Sequence, residues 1–92
     1  MSDQEKNQIL FVQLISMFHA AALQQMGKIK NPVTDKIERD LDQAELSIDM
    51  LDMLKAKTKG NVTPEEEKAL TEIVAQLKLN YVDEKSKDQP KS

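Results

Sequence analysis

"NQILFVQLISMFHAAALQQMG", Asn7 to Gly27, is a run of 21 residues without a formal charge, counting His19 as neutral, in a chain that is 32% charged overall. The run contains neither Gly nor Pro before Gly27, so nothing interrupts a helix until a glycine reads as its C-terminal cap. Projected at about 100° per residue, Phe11, Ile15, Phe18, Ala22 and Met26 make one stripe, flanked by Leu10, Leu14, Met17 and Ala21. A further line, Ile9, Val12, Ser16, His19, Leu23 and Met26, has the 3-4-3-4-3 spacing of a helix–helix seam. A helix that is apolar on every side needs cover on every side.

Outward from this segment the chain punctuates itself. "KIKNPVTDKIERD", Lys28 to Asp40, breaks helical periodicity at Asn31-Pro32 and Thr34-Asp35. Asp40 is a plausible N-cap for a second helix through "LDQAELSIDMLDMLKAK", whose closing lysines suit the negative end of the helix dipole. "NVTPEEE" then supplies Thr63 as N-cap, Pro64 at the first helical position and Glu66 three residues after the cap, a capping box. The expected architecture is all-α: a three-helix bundle with helices at about 5–26, 41–59 and 64–82, a long first connection, and homodimeric packing. The expected organisation is a polar segment over 1–6, one helical domain over 7–82, and a disordered polar tail over 83–92.

The three helices differ in character. The third has one narrow stripe, Leu70, Ile73, Val74, Leu77 and Tyr81, with Tyr81 read as a core anchor whose hydroxyl reaches the edge. The second has two: Leu41, Ala44, Ile48 and Leu51, then Leu46, Met50, Met53 and Leu54, separated by an acidic ridge of Asp42, Glu45, Asp49 and Asp52. In a three-helix bundle each helix meets only two neighbours. Four or five large side chains left in water on helices one and two forgo on the order of 10 kcal/mol of burial, comparable to the whole stability of a small domain. A second subunit resolves this, and two-fold dimers are the commonest form. The interface residues expected are Ile9, Val12, Ser16, His19, Leu23, Met26, Met50 and Met53.

Composition narrows the function classes. The net charge is −3, Arg39 is the single arginine and acids are interspersed with the lysines, which argues against a nucleic-acid face. Without cysteine there are neither disulfides nor thiolate metal sites, in keeping with a reducing cytoplasm. The apolar run is interrupted by Gln13, Ser16, His19, Gln24 and Gln25 and lacks the lysine-rich polar face of a surface-bound amphipathic helix, so membrane association is the rival reading and not the first. The acidic ridge shares one face, but carboxylates on one straight helix diverge, and no facing acids or Glu-x-x-His motif close a metal site. His19 has Ser16 on its own face but no third member for a catalytic set; it reads as a polar seam residue. The first connection carries Lys28, Lys30, Lys36 and Arg39, a basic group suited to an acidic partner, while Val33 and Ile37 are expected to plug the end of the core.

The stretch "NPVTDKIERDLDQAELSIDMLDMLKAKTKGNVTPEEEKAL" resembles the small bacterial family catalogued as domain of unknown function 1844. Asn31-Pro32, Thr34, Lys36, Asp40-Leu41, Ala44, Ile48-Asp49, Leu51, Leu54, "KTKGN" (Lys57–Asn61), Thr63, Leu70, Leu77 and Tyr81-Val82 carry it, over roughly residues 9 to 82. "KTKGN" followed by Thr and acids is the most specific piece, and the apolar first helix agrees in character more than in letters. Asp35 stands where the resemblance leads one to expect glycine; aspartate tolerates a left-handed backbone better than most residues. The resemblance implies a small, all-helical, cytoplasmic bacterial protein and brings no reaction, cofactor or catalytic residue. The functional expectation is a self-associating protein–protein interaction or accessory module, not an enzyme.

Overall fold

A computed structural model describes residues 2–88 of the chain. Three helices follow one another, α1 (Asp3–Gln25), α2 (Leu41–Lys57) and α3 (Pro64–Ser86), with no strand among the described residues. Each start is capped by a side chain that sequence spacing makes available. Ser2 accepts from the Glu5 N–H at 3.2 Å, which opens α1 two residues before the expected start and takes Asp3 to Lys6 into the first turns. Asp40 accepts from the Gln43 N–H at 3.2 Å. Thr63 and Glu66 close the capping box in both directions, at 3.1 and 2.8 Å. Acids cluster in the first turn of α3, where the helix dipole favours them.

The ends are equally local. Gly27, at φ +82°, follows α1, with the Lys28 N–H bonded to the Leu23 carbonyl and the Gly27 N–H to the Gln24 carbonyl. That pair satisfies two carbonyls the helix would otherwise leave open. α2 stops two residues short of the expected end: Thr58 is its C-cap and makes the last i→i−4 bond to the Leu54 carbonyl, after which the Asn61 N–H turns back to the Thr58 carbonyl and Gly60 takes φ +88°. α3 runs four residues past its expected end. Glu84 falls three after Tyr81 and seven after Leu77, on the buried stripe, so the polar letters that read as a disordered tail extend the helix to Ser86. The remaining part of that expectation, residues 89–92, lies outside the described residues.

The Asp40 N–H bonds the Gln25 carbonyl at 2.7 Å, which sets the start of α2 beside the end of α1 and makes the two an antiparallel hairpin. α2 packs against both other helices, while α1 and α3 touch least. The buried core is Ile15, Ala22 and Met26 from α1 and its cap, Ala44, Ile48 and Leu51 from α2, and Leu70, Val74 and Leu77 from α3. Phe11, Phe18, Leu23, Leu41, Leu54, Ile73 and Tyr81 close around it. The first stripe of each helix is therefore the inward one.

The result is a slab. Its extents are 54 × 30 × 16 Å and its radius of gyration 15.0 Å. A compact chain of this length has a radius of about 12 Å.

Candidate functional site

Inside that slab Ile15, Met26, Ile48, Leu51, Leu70, Val74 and Leu77 are the large buried apolar residues; thirteen others among the described residues stand exposed. Eight of the thirteen lie on the first hairpin: Ile9, Leu10, Val12, Leu14 and Met17 on α1, and Leu46, Met50 and Met53 on α2. Met17 is 68% exposed. Isolated exposed apolar residues are normal; what matters is whether these are contiguous.

A polar pair fixes the register. With its amide nitrogen turned to α2, Gln25 donates to Ser47 Oγ at 2.7 Å, to the Gln43 carbonyl at 3.0 Å and to the Ala21 carbonyl at 3.2 Å. Ser47 is buried there, and the amide satisfies it. Gln25 thus marks the flank of α1 that meets α2. At about 100° per residue Leu14, Ala21, Leu10 and Met17 follow Gln25 round that same flank and outward. On α2, Leu54, Met50, Leu46 and Met53 follow Ser47 outward in the same way. At about 1.5 Å per residue, running antiparallel from the Gln25–Ser47 pair, Ala21 stands near the level of Met50 and Met17 near that of Met53. A largely apolar band therefore crosses the outer face of the hairpin, from Leu46 through Met50, Met53 and Met17 to Leu14 and Leu10, with the exposed Lys57 at the α2 end beside Leu14.

This geometry divides the residues expected at an interface. Met50 and Met53 join the band. Met26, which belongs to both apolar lines of α1, is fully buried against its own chain, and Leu23 packs on the core. His19 is half-buried, and Ile9, Val12 and Ser16 are exposed on the flank of α1 opposite Gln25. Leu10, Leu14 and Met17, the outer part of the band, stand in for them. The signal that could have found these was present, since the flanking line of α1 and the second line of α2 are both apolar. Their adjacency was not legible from either helix alone.

The basic connection is drawn inward at its two ends. Glu84 is 7% exposed and receives Lys28 Nζ at 2.7 Å, Lys87 Nζ at 2.8 Å and Arg39 Nε at 3.3 Å. Arg39 also donates to the Glu84 carbonyl and, through its other terminal nitrogen, to both Asp88 oxygens. The hydrogen bond from Lys28, then that from Lys87, outweigh burial and hold the Glu84 carboxyl at about 2. Lys28 and Arg39 are thereby committed to α3, which leaves Lys30, 4.0 Å from Asp35, and Lys36 on the outer turn. That turn is ordered by an Asn31–Lys36 bridge, by the Asn31 side chain accepting from the Val33 N–H, and by Asp35 in the left-handed region at φ +58°. Val33 and Ile37 do not plug the core: Val33 is 90% exposed and Ile37 is exposed too, because the turn projects away from the helices and Glu84 closes that end instead.

The acidic ridge is partly used within the chain. Glu45 accepts the Tyr81 hydroxyl at 2.9 Å and Asp52 pairs with Lys78 at 2.9 Å, so α2 and α3 are tied along their outer seam. Tyr81 packs its ring on the core with its hydroxyl at the edge. Among the described residues no three His, Cys, Asp or Glu side chains converge as a metal would need. An open cleft of about 740 Å³ lies between the start of α1 and the α2–α3 turn, with Gln4, Asn7 and Gln8 on one wall and Thr58 and Asn61 on the other. Thr63 and Glu66, also on its wall, are engaged in the capping box. No described helix is long and apolar enough to cross a membrane.

A family model described as Domain of unknown function (DUF1844) matches residues 8–84. No curated protein and no solved structure matches the chain.

Proposed function

The chain belongs to the DUF1844 family, which carries no reaction with it, and we propose from its own surface that it works by contact, as a protein–protein interaction or accessory module. The observation that carries this reading is the apolar band on the α1/α2 hairpin. Its members are Leu10, Leu14 and Met17 beside Leu46, Met50 and Met53, all exposed. Methionine is unbranched and polarizable, so a surface with three of them can fit a partner closely. Contiguous apolar surface of this kind marks docking sites on soluble domains.

A bilayer surface is the rival occupant. Helices that lie on lipid present lysines on their polar face, whereas α1 has no lysine between Asn7 and Gly27.

Hydroxyl-radical footprinting tests the reading. The full chain is labelled in a concentrated, membrane-cleared extract of cells that make it, and as dilute purified protein. Met17, Met50 and Met53 are expected to label several-fold more slowly in the extract, while Leu79 and Val82, exposed on α3, label equally in both. Labelling of the three methionines in both samples as fast as in the urea-unfolded chain would show that nothing docks there.

A further inference from the structure

Granting that the hairpin face is a docking surface, we infer that its occupant is a second copy of this chain, bound through the same face about a two-fold axis. Three observations point to it. The first is area. The chain exposes 6708 Å², whereas a compact monomer of 10.4 kDa exposes about 5400 Å². The excess, about 1300 Å² over the whole chain and shared with the projecting first turn and the outer side of α3, leaves room for the roughly 800 Å² that each partner buries in a stable interface of standard size.

The second observation is charge. A two-fold contact sets a face against its own copy, so any net charge on it meets the same sign. α1 is formally neutral from Asn7 to Gly27, with the histidine uncharged, and its outer polar positions beside the band are the amides Gln13 and Gln24; on α2 the exposed charges are Lys57 on the band and Asp42 and Asp49 at its edge. The charges on the α2 side, one lysine and two aspartates, are of both signs and few, so the face offers no large block of one sign to an acidic or basic partner and sets no such block against its own copy.

The third is self-complementarity of shape. Two apolar lines side by side on an antiparallel hairpin present a ridge pair and a groove, and the copy presents the same. Stacking two such hairpins gives a four-helix layer with an α3 on each outer side, the arrangement in which helices one and two both gain a neighbour beyond the two that one chain provides.

The test is sedimentation equilibrium of the purified full chain from about 1 to 500 µM, beside Met17→Glu, Met50→Glu and Val82→Glu. Both band positions are exposed in the single chain, so their variants keep the fold, and circular dichroism checks it. The expected result is a species of twice the 10.4 kDa chain mass. Met17→Glu and Met50→Glu weaken it on the order of a hundredfold or more with helicity unchanged, because each buries an unpaired carboxylate. Val82→Glu leaves it intact. A monomer throughout the range, or a dimer that survives both band substitutions, overturns the inference. Monomeric purified protein whose methionines are nevertheless protected in extract removes the second copy but retains the docking surface. Absence of protection removes both.

Discussion

Among the described residues, Glu84 takes part in more ion pairs than any other. It gathers Lys28, Arg39 and Lys87, and so ties the first connection to the end of α3. Its carboxyl titrates at about 2 in the folded chain against 4.5 ordinarily, so its ionised form is favoured by folding. A depressed carboxylate contributes stability that is fully present above pH 4.5 and is lost as pH falls from there towards 2. Allowing for solvent on the outer side of the cluster, that contribution is about 2 kcal/mol. Glu84→Gln is therefore expected to lower urea stability by about that amount at pH 7, with the gap to the parent chain closing between pH 4.5 and 2. A gap that stays constant across that window rules the carboxylate out as its source. Asp35 is the second telling residue. Its left-handed backbone, at φ +58°, is where the family resemblance leads one to expect glycine, so this turn was legible from one letter. Glu84 was harder to see, because "DEKSK" offers no apolar residue to extend the stripe.

At the scale of elements, what starts each helix lies within four residues of the start. The capping box at Thr63 needs only Thr, Pro and the Glu three on, and the reciprocal bonds form as the spacing requires. Thr63→Ala is expected to cost about 1 kcal/mol. Glu66→Ala added to it costs less than it does alone, since the two side chains serve one another's backbone. Urea midpoints of the two single variants and the double read this directly; strict additivity contradicts reciprocal capping. The ends that moved, at Lys57 and Ser86, moved for side-chain reasons. The Thr58 hydroxyl bonds the Leu54 carbonyl, and Glu84 finds two cations far along the chain, Lys28 and Arg39, with Lys87 three residues on.

For the whole molecule, the balance between a thin slab and a well-covered one decides behaviour. If two copies share the hairpin face, unfolding is coupled to dissociation and apparent thermal stability rises with concentration. Across about a hundredfold in concentration the midpoint is expected to climb by several degrees, the association term changing by about 2.7 kcal/mol. Met17→Glu should flatten that dependence. A midpoint indifferent to concentration in the parent chain contradicts a coupled dimer.

The sequence by itself determined how many helices there are and nearly where they end, because caps, glycine turns and dipole-matched charges act over one turn of backbone. It also determined that α1 and α2 hold more apolar surface than one chain of this size can cover. Tertiary structure alone decided which stripe faces inward. Helical period gives the phase of each stripe on its own axis, but several stripes of α1 are equally apolar, and only the neighbours can choose between them. Gln25 meeting Ser47 on α2, and Glu84 meeting Lys28 and Arg39, make that choice. They bring residues 22 to 56 positions apart into contact, a relation that no local spacing encodes.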